Sequence, residues 1–169
     1  MRSRFAVAPV KFGSMPDYWI TTHWPTPATE PGQSRHVFVK KHNVRLPKPG
    51  DIVFFRESIE AKVNGKRVRT ATRHHRGQQA RFDLPRGSGG IIGTATVDGT
   101  LRPIRTDDVV FDLGDLRERS VIPCRNFQAA SLPLEHLLAL LGKEGVKFLS
   151  LWQMPNDERR EKLVNAMRR

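Results

Sequence analysis

Short apolar runs broken by turn residues fill most of this chain, and helical spacing enters only near its end. Tyr18-Trp19-Ile20-Thr21-Thr22 is aromatic and β-branched, the composition a strand favours. His36-Val37-Phe38-Val39-Lys40 follows a turn-rich stretch, Pro25 to Ser34. Pro49-Gly50-Asp51 reads as a turn that launches Ile52-Val53-Phe54-Phe55. Gly90-Ile91-Ile92-Gly93-Thr94-Ala95-Thr96-Val97 reads as a strand with two glycines, and Asp98-Gly99 turns it into a strand over 101–105. A further short strand is expected at 120–124. Strands this frequent, with turn signals between them, predict a small barrel or sandwich.

Two helices are expected late. Ser131 caps the first, Pro133 sits early, Leu134, Leu137, Leu138 and Leu141 form one apolar stripe, and Gly142 ends it. The second covers 157–167, with Asn156 as its cap and Asp157 and Glu158 suited to the positive N-terminal end of the helix dipole. Both stripes read as core packing. No internal repeat or low-complexity segment is present.

Length and composition narrow the class. A chain of 169 residues reads as one domain, 1–169, and 38% hydrophobic with 27% charged residues is a globular balance. No run approaches the roughly 18 apolar residues of a membrane helix, so no membrane partner is expected. Met1 to Lys11 lacks the long apolar stretch of a secretion signal, and the single cysteine, Cys124, has no partner for an internal disulfide. The expected home is therefore a reducing cytoplasm. In an apolar strand Cys124 reads as a buried, inert thiol.

Charge changes the picture more. Lys and Arg number 29 against 17 Asp and Glu, a net +12, which favours a polyanionic partner with nucleic acid leading. Half of that excess lies between Ile59 and Arg86, where eight cations face only Glu60 and Asp83. Asn64-Gly65 is the strongest short hairpin signal, because both turn positions need φ > 0. The arms of this basic hairpin fall at 61–63 and 67–70, and the rest to Gly90 reads as a mobile loop. The whole of 59–89 is read as an insertion, and 131–169 as a helical tail. The basic segment is either a solvated insertion or a phosphate clamp made of Lys66, Arg67, Arg69, Arg73, Arg76 and Arg81.

Three blocks then resemble a known family. Tyr18-Trp19-Ile20-Thr21-Thr22-His23-Trp24-Pro25, Pro49-Gly50-Asp51-Ile52-Val53-Phe54-Phe55 and Gly90-Ile91-Ile92-Gly93-Thr94-Ala95-Thr96-Val97 are similar, in that order, to the strands of EVE-type domains of the PUA-like superfamily. The resemblance spans about residues 16–105. It implies an α+β fold, a small PUA-like β-barrel of about five to six strands with flanking helices. Relatives, including YTH and SRA domains, read modified bases in RNA or DNA by placing one flipped base in an aromatic-lined pocket. The EVE branch is a reader with no catalysis of its own. The basic 59–89 segment departs from a minimal barrel of this kind.

Candidate roles follow from the strand positions that resemblance sets. Trp24 is the leading stacking candidate, with a core or rim tryptophan as the alternative. Thr22 and His23 would address the base edge, or serve as ordinary structural residues. Ser58 occupies the small polar position after the second strand, and Phe55 either walls the pocket or fills the core. Trp19 reads as core, and Trp152 as core first and pocket lining second. No cofactor and no metal ligand set is expected, since six histidines and one cysteine show no zinc spacing. The alternative enzyme is a Mg-dependent nuclease, with Asp51, Glu60 and Lys62 mimicking an acidic residue upstream of a Glu-x-Lys. A third reading is an interaction domain whose basic loop docks on an acidic protein. DNA or RNA, the base modification and the oligomeric state are left open.

Overall fold

A computed structural model describes residues 15–25, 36–40, 45–114, 119–142 and 151–169. Met1 to Lys11 and most of the turn-rich stretch after Pro25 lie outside the described residues. Twelve strands and two helices are described. The strands are β1 (Tyr18–His23), β2 (His36–Lys40), β3 (Ile52–Glu57), β4 (Ala61–Val63), β5 (Lys66–Val68) and β6 (Thr70–His75). β7 (Gln78–Asp83), β8 (Ile91–Val97), β9 (Arg102–Pro103), β10 (Val110–Asp112), β11 (Arg119–Leu132) and β12 (Leu151–Gln153) complete them. The helices are α1 (Leu134–Leu141) and α2 (Glu158–Met167).

The main sheet runs β12-β1-β3-β8-β11-β2, with β9 also on β11. β1 and β3 are parallel, with Tyr18 opposite Ile52 and His23 opposite Glu57. The 14-residue β11 curls the sheet. Its first half pairs with β2 and β9, and its second half with β8 through two register shifts. Bulges of this kind bend a strand and raise its twist. The result is a curled half-barrel of seven strands in place of the expected five or six.

β1 and β3 at the centre of this sheet are buried on both faces, which explains why they read as continuous apolar runs. Trp19, Val53, Phe55, Val97, Val37 and Ile122 point inside the curl and form one core. Their neighbours Ile20, Phe54 and Ile91 point the other way, against Leu137, Leu141 and Leu163 of the two helices. Trp19 is thus core, as expected, and Cys124 is buried, with burial pushing its thiol up to about 12. Trp152 is half-buried against the helix-side core.

Several boundaries differ from the sequence reading. The stretch after Thr70 expected as a loop is strand as far as Asp83 and irregular only over 84–90: β6 and β7 form a hairpin across Arg76-Gly77, and β10 pairs with β6 to make a separate three-stranded sheet. The first hairpin arms are β4 and β5, ending at Val68 rather than Thr70, and Asn64-Gly65 turns them. The strand expected at 101–105 shrinks to Arg102–Pro103, because proline offers no N–H to a ladder. The strand at 120–124 extends to Leu132, so Ser131 lies in β11 and Pro133 holds the cap position of α1 without a side-chain cap bond. For α2 the cap is Asp157, not Asn156: its carboxylate accepts from the Arg159 N–H at 2.9 Å.

Candidate functional site

β1 and β3 run side by side and end together, which gathers the sequence-predicted residues at one end of the curl. The Ser58 N–H donates to the His23 carbonyl at 2.8 Å, so the two chain ends are tied. The His23 ring lies 5.2 Å from Phe55 and 5.5 Å from Phe38, between centroids. Phe127 meets Phe55 edge-on at 5.7 Å. β1, β2, β3 and β11 each contribute one ring.

Phe127 reaches this cluster through a β11 irregularity. Asn126 adopts φ 55°, and the register against β8 shifts between Arg125 and Gln128. Opposite it stands Gly93, where a Cβ would sit 2.6 Å from Cε2 of the Phe127 ring. The second glycine of the Gly90–Val97 block is therefore a contact requirement: the ring occupies the space a side chain would take.

Trp24 follows β1 and is half-buried. The Arg119 guanidinium sits 3.9 Å from the centre of its ring and 5.4 Å from that of Phe38. Arg119 is itself buried at 7% exposure, and its Nη1 donates to the Phe111 carbonyl of β10 at 3.2 Å. This arginine links the ring cluster to the three-stranded sheet. Sequence reasoning missed it, because Arg119 sits among ordinary basic residues and only the register of β11 places it over Trp24.

The other candidates separate. Thr22 and His23 are consecutive in a strand, so their side chains take opposite faces. His23 shares the Phe55 face. Thr22 shares the Ile20 side, and its Oγ1 is buried without a hydrogen-bond partner. Ser58 Oγ donates to the Glu60 carbonyl at 3.0 Å, which closes the turn after β3 and leaves its lone pairs as acceptors. Phe55 is completely buried, so it backs His23 from within the core and offers no surface of its own.

Five of the six clamp cations lie on the two hairpins and Arg69 lies between them, and all but the half-buried Arg73 are exposed. Arg67 pairs with Glu60 at 3.3 Å. Arg81 donates to Thr70 Oγ1 at 3.2 Å. Arg73 and Arg81 belong to opposite faces of the β6–β7 ribbon, because Arg73 is opposite Ala80 and Arg81 opposite Thr72. Phe82 and Phe111, on the Arg73 face, pack edge-on at 5.2 Å. Arg76 stands at the tip with φ 50°, and its N–H donates to the Thr106 carbonyl at 2.6 Å.

Asp51, Glu60 and Lys62 do not assemble. Asp51 precedes β3 and Glu60 follows it, so six extended residues, about 20 Å, lie between them. The Asp51 carboxylate is buried and accepts from Trp19 Nε1 at 3.0 Å, from the Lys48 N–H at 2.9 Å and from the Asp17 N–H at 3.0 Å. It is a structural acceptor for the strand starts. Among the described residues no three His, Cys, Asp or Glu side chains gather as a metal site. No helix of the described residues is long and apolar enough to cross a membrane.

No protein-family model matches the chain, and no curated protein matches it. Its fold is similar to the crystal structure of a mutant form of ZmASCH, a protein from Zymomonas mobilis, with a TM-score of 0.53 and 13% identity. That likeness covers 90% of this chain and 99% of the other. It establishes the fold as a small α+β barrel of the PUA-like kind.

Proposed function

We propose that the chain is a nucleic-acid reader. One flipped base, such as a modified cytosine, stacks at Trp24 beside His23 and Phe38, and the arginine-bearing hairpins hold the backbone. The observation that carries this reading is the planar Arg119 cation over Trp24, joined through Phe111 to the sheet that bears Arg73, Arg76 and Arg81. A ring that holds one flat π-cation is a platform for a base, whose stacking contributes about 1–3 kcal/mol. In this reading His23 and the Ser58 oxygen would be the polar partners of the base edge. Thr22, on the other face, has no part in this pocket. The reading assigns no catalytic residue, in keeping with the EVE resemblance.

Flipping costs a few kcal/mol, least in single strands, so the test compares strandedness as well as base. The full chain is titrated at near-physiological salt, with and without Mg²⁺. The probes are single- and double-stranded DNA and RNA with plain or modified cytosine or methylated adenine at one position. A preference for one modified probe is expected. Trp24→Ala should weaken that probe by about 5- to 150-fold, the range that 1–3 kcal/mol spans, and leave the salt dependence unchanged. Unchanged binding of every probe by Trp24→Ala would remove the pocket. Indifference to all nucleic acids at low salt would turn the basic hairpins toward an acidic protein, and Mg²⁺-dependent cleavage would replace the reader by a nuclease.

A further inference from the structure

A cleft opens at the end of β1 away from His23. It measures about 520 Å³, lies where β12 leads into α2, and is lined by Arg45, Arg159, Arg160, Trp152, Asn156 and Asp17 among others. It shares Asp17 and Arg45 with an adjoining hollow of about 360 Å³ that reaches Lys48. The six-residue β1 separates this cleft from the His23 cluster, so one compact ligand cannot fill both.

Its three arginines are held in place. Arg159 Nε and Nη2 grip the Asp157 carboxylate, the shortest contact being 2.7 Å. Arg160 donates to Asn156 Oδ1, and its guanidinium lies 5.2 Å from the Tyr18 ring. Arg45 Nη1 donates to Gln153 Oε1 at 3.5 Å. Each guanidinium carries five donors, and these contacts use the smaller part of them. Prior ordering of this sort lowers the entropy a ligand must overcome.

The acids of the cleft cancel this charge only in part. Asp51 is spent on three N–H groups and Asp157 neutralises Arg159 in that ion pair, which leaves Arg45, Arg160 and, in the adjoining hollow, Lys48 against Asp17. The N-terminus of the ten-residue α2 adds little to this charge, because Asp157 caps it and Glu158 and Glu161 stand in its first turn. A monoester phosphate, at −1.5 to −2 near pH 7, answers such a cluster better than a singly charged group. The volume lies within the roughly 300–1,000 Å³ of small-molecule sites and is larger than one phosphate requires. The half-buried Trp152 supplies an apolar wall for the remainder.

We infer that this cleft binds a nucleoside phosphate, with the phosphate monoester on Arg45, Arg159 and Arg160 and the ring system against Trp152. The ligand is either a free mononucleotide or the 5′-phosphorylated end of a strand. The inference stands apart from base reading at Trp24.

The test is an NMR titration of the full chain that follows the Trp152 indole N–H. The probes are AMP, adenosine, and 5′-phosphorylated and 5′-hydroxyl tetranucleotides. AMP is expected to bind at least tenfold more tightly than adenosine, and Arg45→Ala with Arg159→Ala should remove that advantage. Arg45→Gln, which leaves the α2 cap pair intact, should give a partial loss in a chain that keeps its fold. A 5′-phosphate advantage among the tetranucleotides that needs the same arginines identifies a strand end, and its absence beside tight AMP binding identifies a free nucleotide. Equal affinity for AMP and adenosine, or a Trp152 signal that AMP does not move, would overturn the inference. Trp24→Ala separates the two sites: it should impair modified-base recognition and leave AMP binding unchanged.

Discussion

The tip of the β6–β7 hairpin sets stability against binding, and one substitution tests both. Arg76 and Gly77 have φ of 50° and 76°, the same values as Asn64 and Gly65 in the β4–β5 hairpin. The chain thus builds one two-residue turn twice, once with asparagine and once with arginine. Two positive φ values define the turn that matches strand twist, and asparagine suits its first position because its short side chain tolerates left-handed backbone. Arginine there costs roughly 1–2 kcal/mol for the left-handed conformation, of which asparagine recovers a part, about 0.5–1 kcal/mol. Arg76→Asn should therefore raise Tm by about 1–4 °C in a chain of this size. If Arg76 contacts a phosphate, its loss lowers the slope of log K against log salt by about 0.9 for duplex and about 0.7 for single strands. Extrapolated from 1 M to about 0.15 M salt, that slope amounts to about fivefold in affinity. The assays are thermal unfolding and titrations at four or more salt concentrations. A lower Tm would show that the arginine is not strained at this turn. An unchanged salt slope would place Arg76 away from the bound backbone.

Two further outcomes follow from local contacts. Gly93→Ala would put a methyl 2.6 Å from Cε2 of the Phe127 ring and 2.7 Å from the Gln128 carbonyl, so the ring must move. Overpacking of this kind costs about 1–3 kcal/mol, and the variant should unfold earlier in urea and lose base preference; wild-type stability would refute the placement of Phe127. Acid should weaken the link between β2, β9 and the loop before β10. Arg102 grips both oxygens of Asp108 at 2.7 and 2.8 Å, and the Arg105 N–H adds a third bond, so the carboxyl is held down to about 2. A depressed carboxyl stabilises the fold above its unfolded value and loses that contribution as pH falls from about 4 toward 2, here about 2 kcal/mol. His36, 3.5 Å from Asp108, acts in the same direction: burial lowers its pKa, so stability begins to fall below the ordinary histidine value of 6.5. Arg102→Ala should move acid unfolding to higher pH, and an unmoved midpoint would deny the pair its role.

What was legible in the sequence divides along burial. β1 and β3 announce themselves because both of their faces are covered, one by the inside of the curl and one by the helices, and β8 because its buried apolar positions alternate with threonine. The β6–β7 ribbon gives no such signal: β7 is largely exposed, only Ala80 and Phe82 of its six residues are apolar, and its turn begins with an arginine. Only Gly77 marked that turn. β12 is three residues long and pairs with a strand more than 120 positions earlier, and no local pattern encodes a contact of that range.

The candidate site was legible to the same depth and no further. His23, Phe55 and Ser58 come together because β1 and β3 are adjacent and parallel, a consequence of the blocks that could be read. Thr22 and His23 looked like one recognition pair, and strand alternation alone is enough to part them. Arg119 and Phe127 arrive from β11, where a strand predicted to end at residue 124 runs on to Leu132. The long strand is what permits a shift in register, and the shift sets where Phe127 points, while regular pairing with β2 places Arg119. Phe127 then needs Gly93, and Arg119 needs the Phe111 carbonyl and the Trp24 ring. Each half of these contacts reads as an ordinary strand residue. The chemistry of the corner resides in their pairing across β8, β10 and β11, which is a property of the curled sheet and of no single segment.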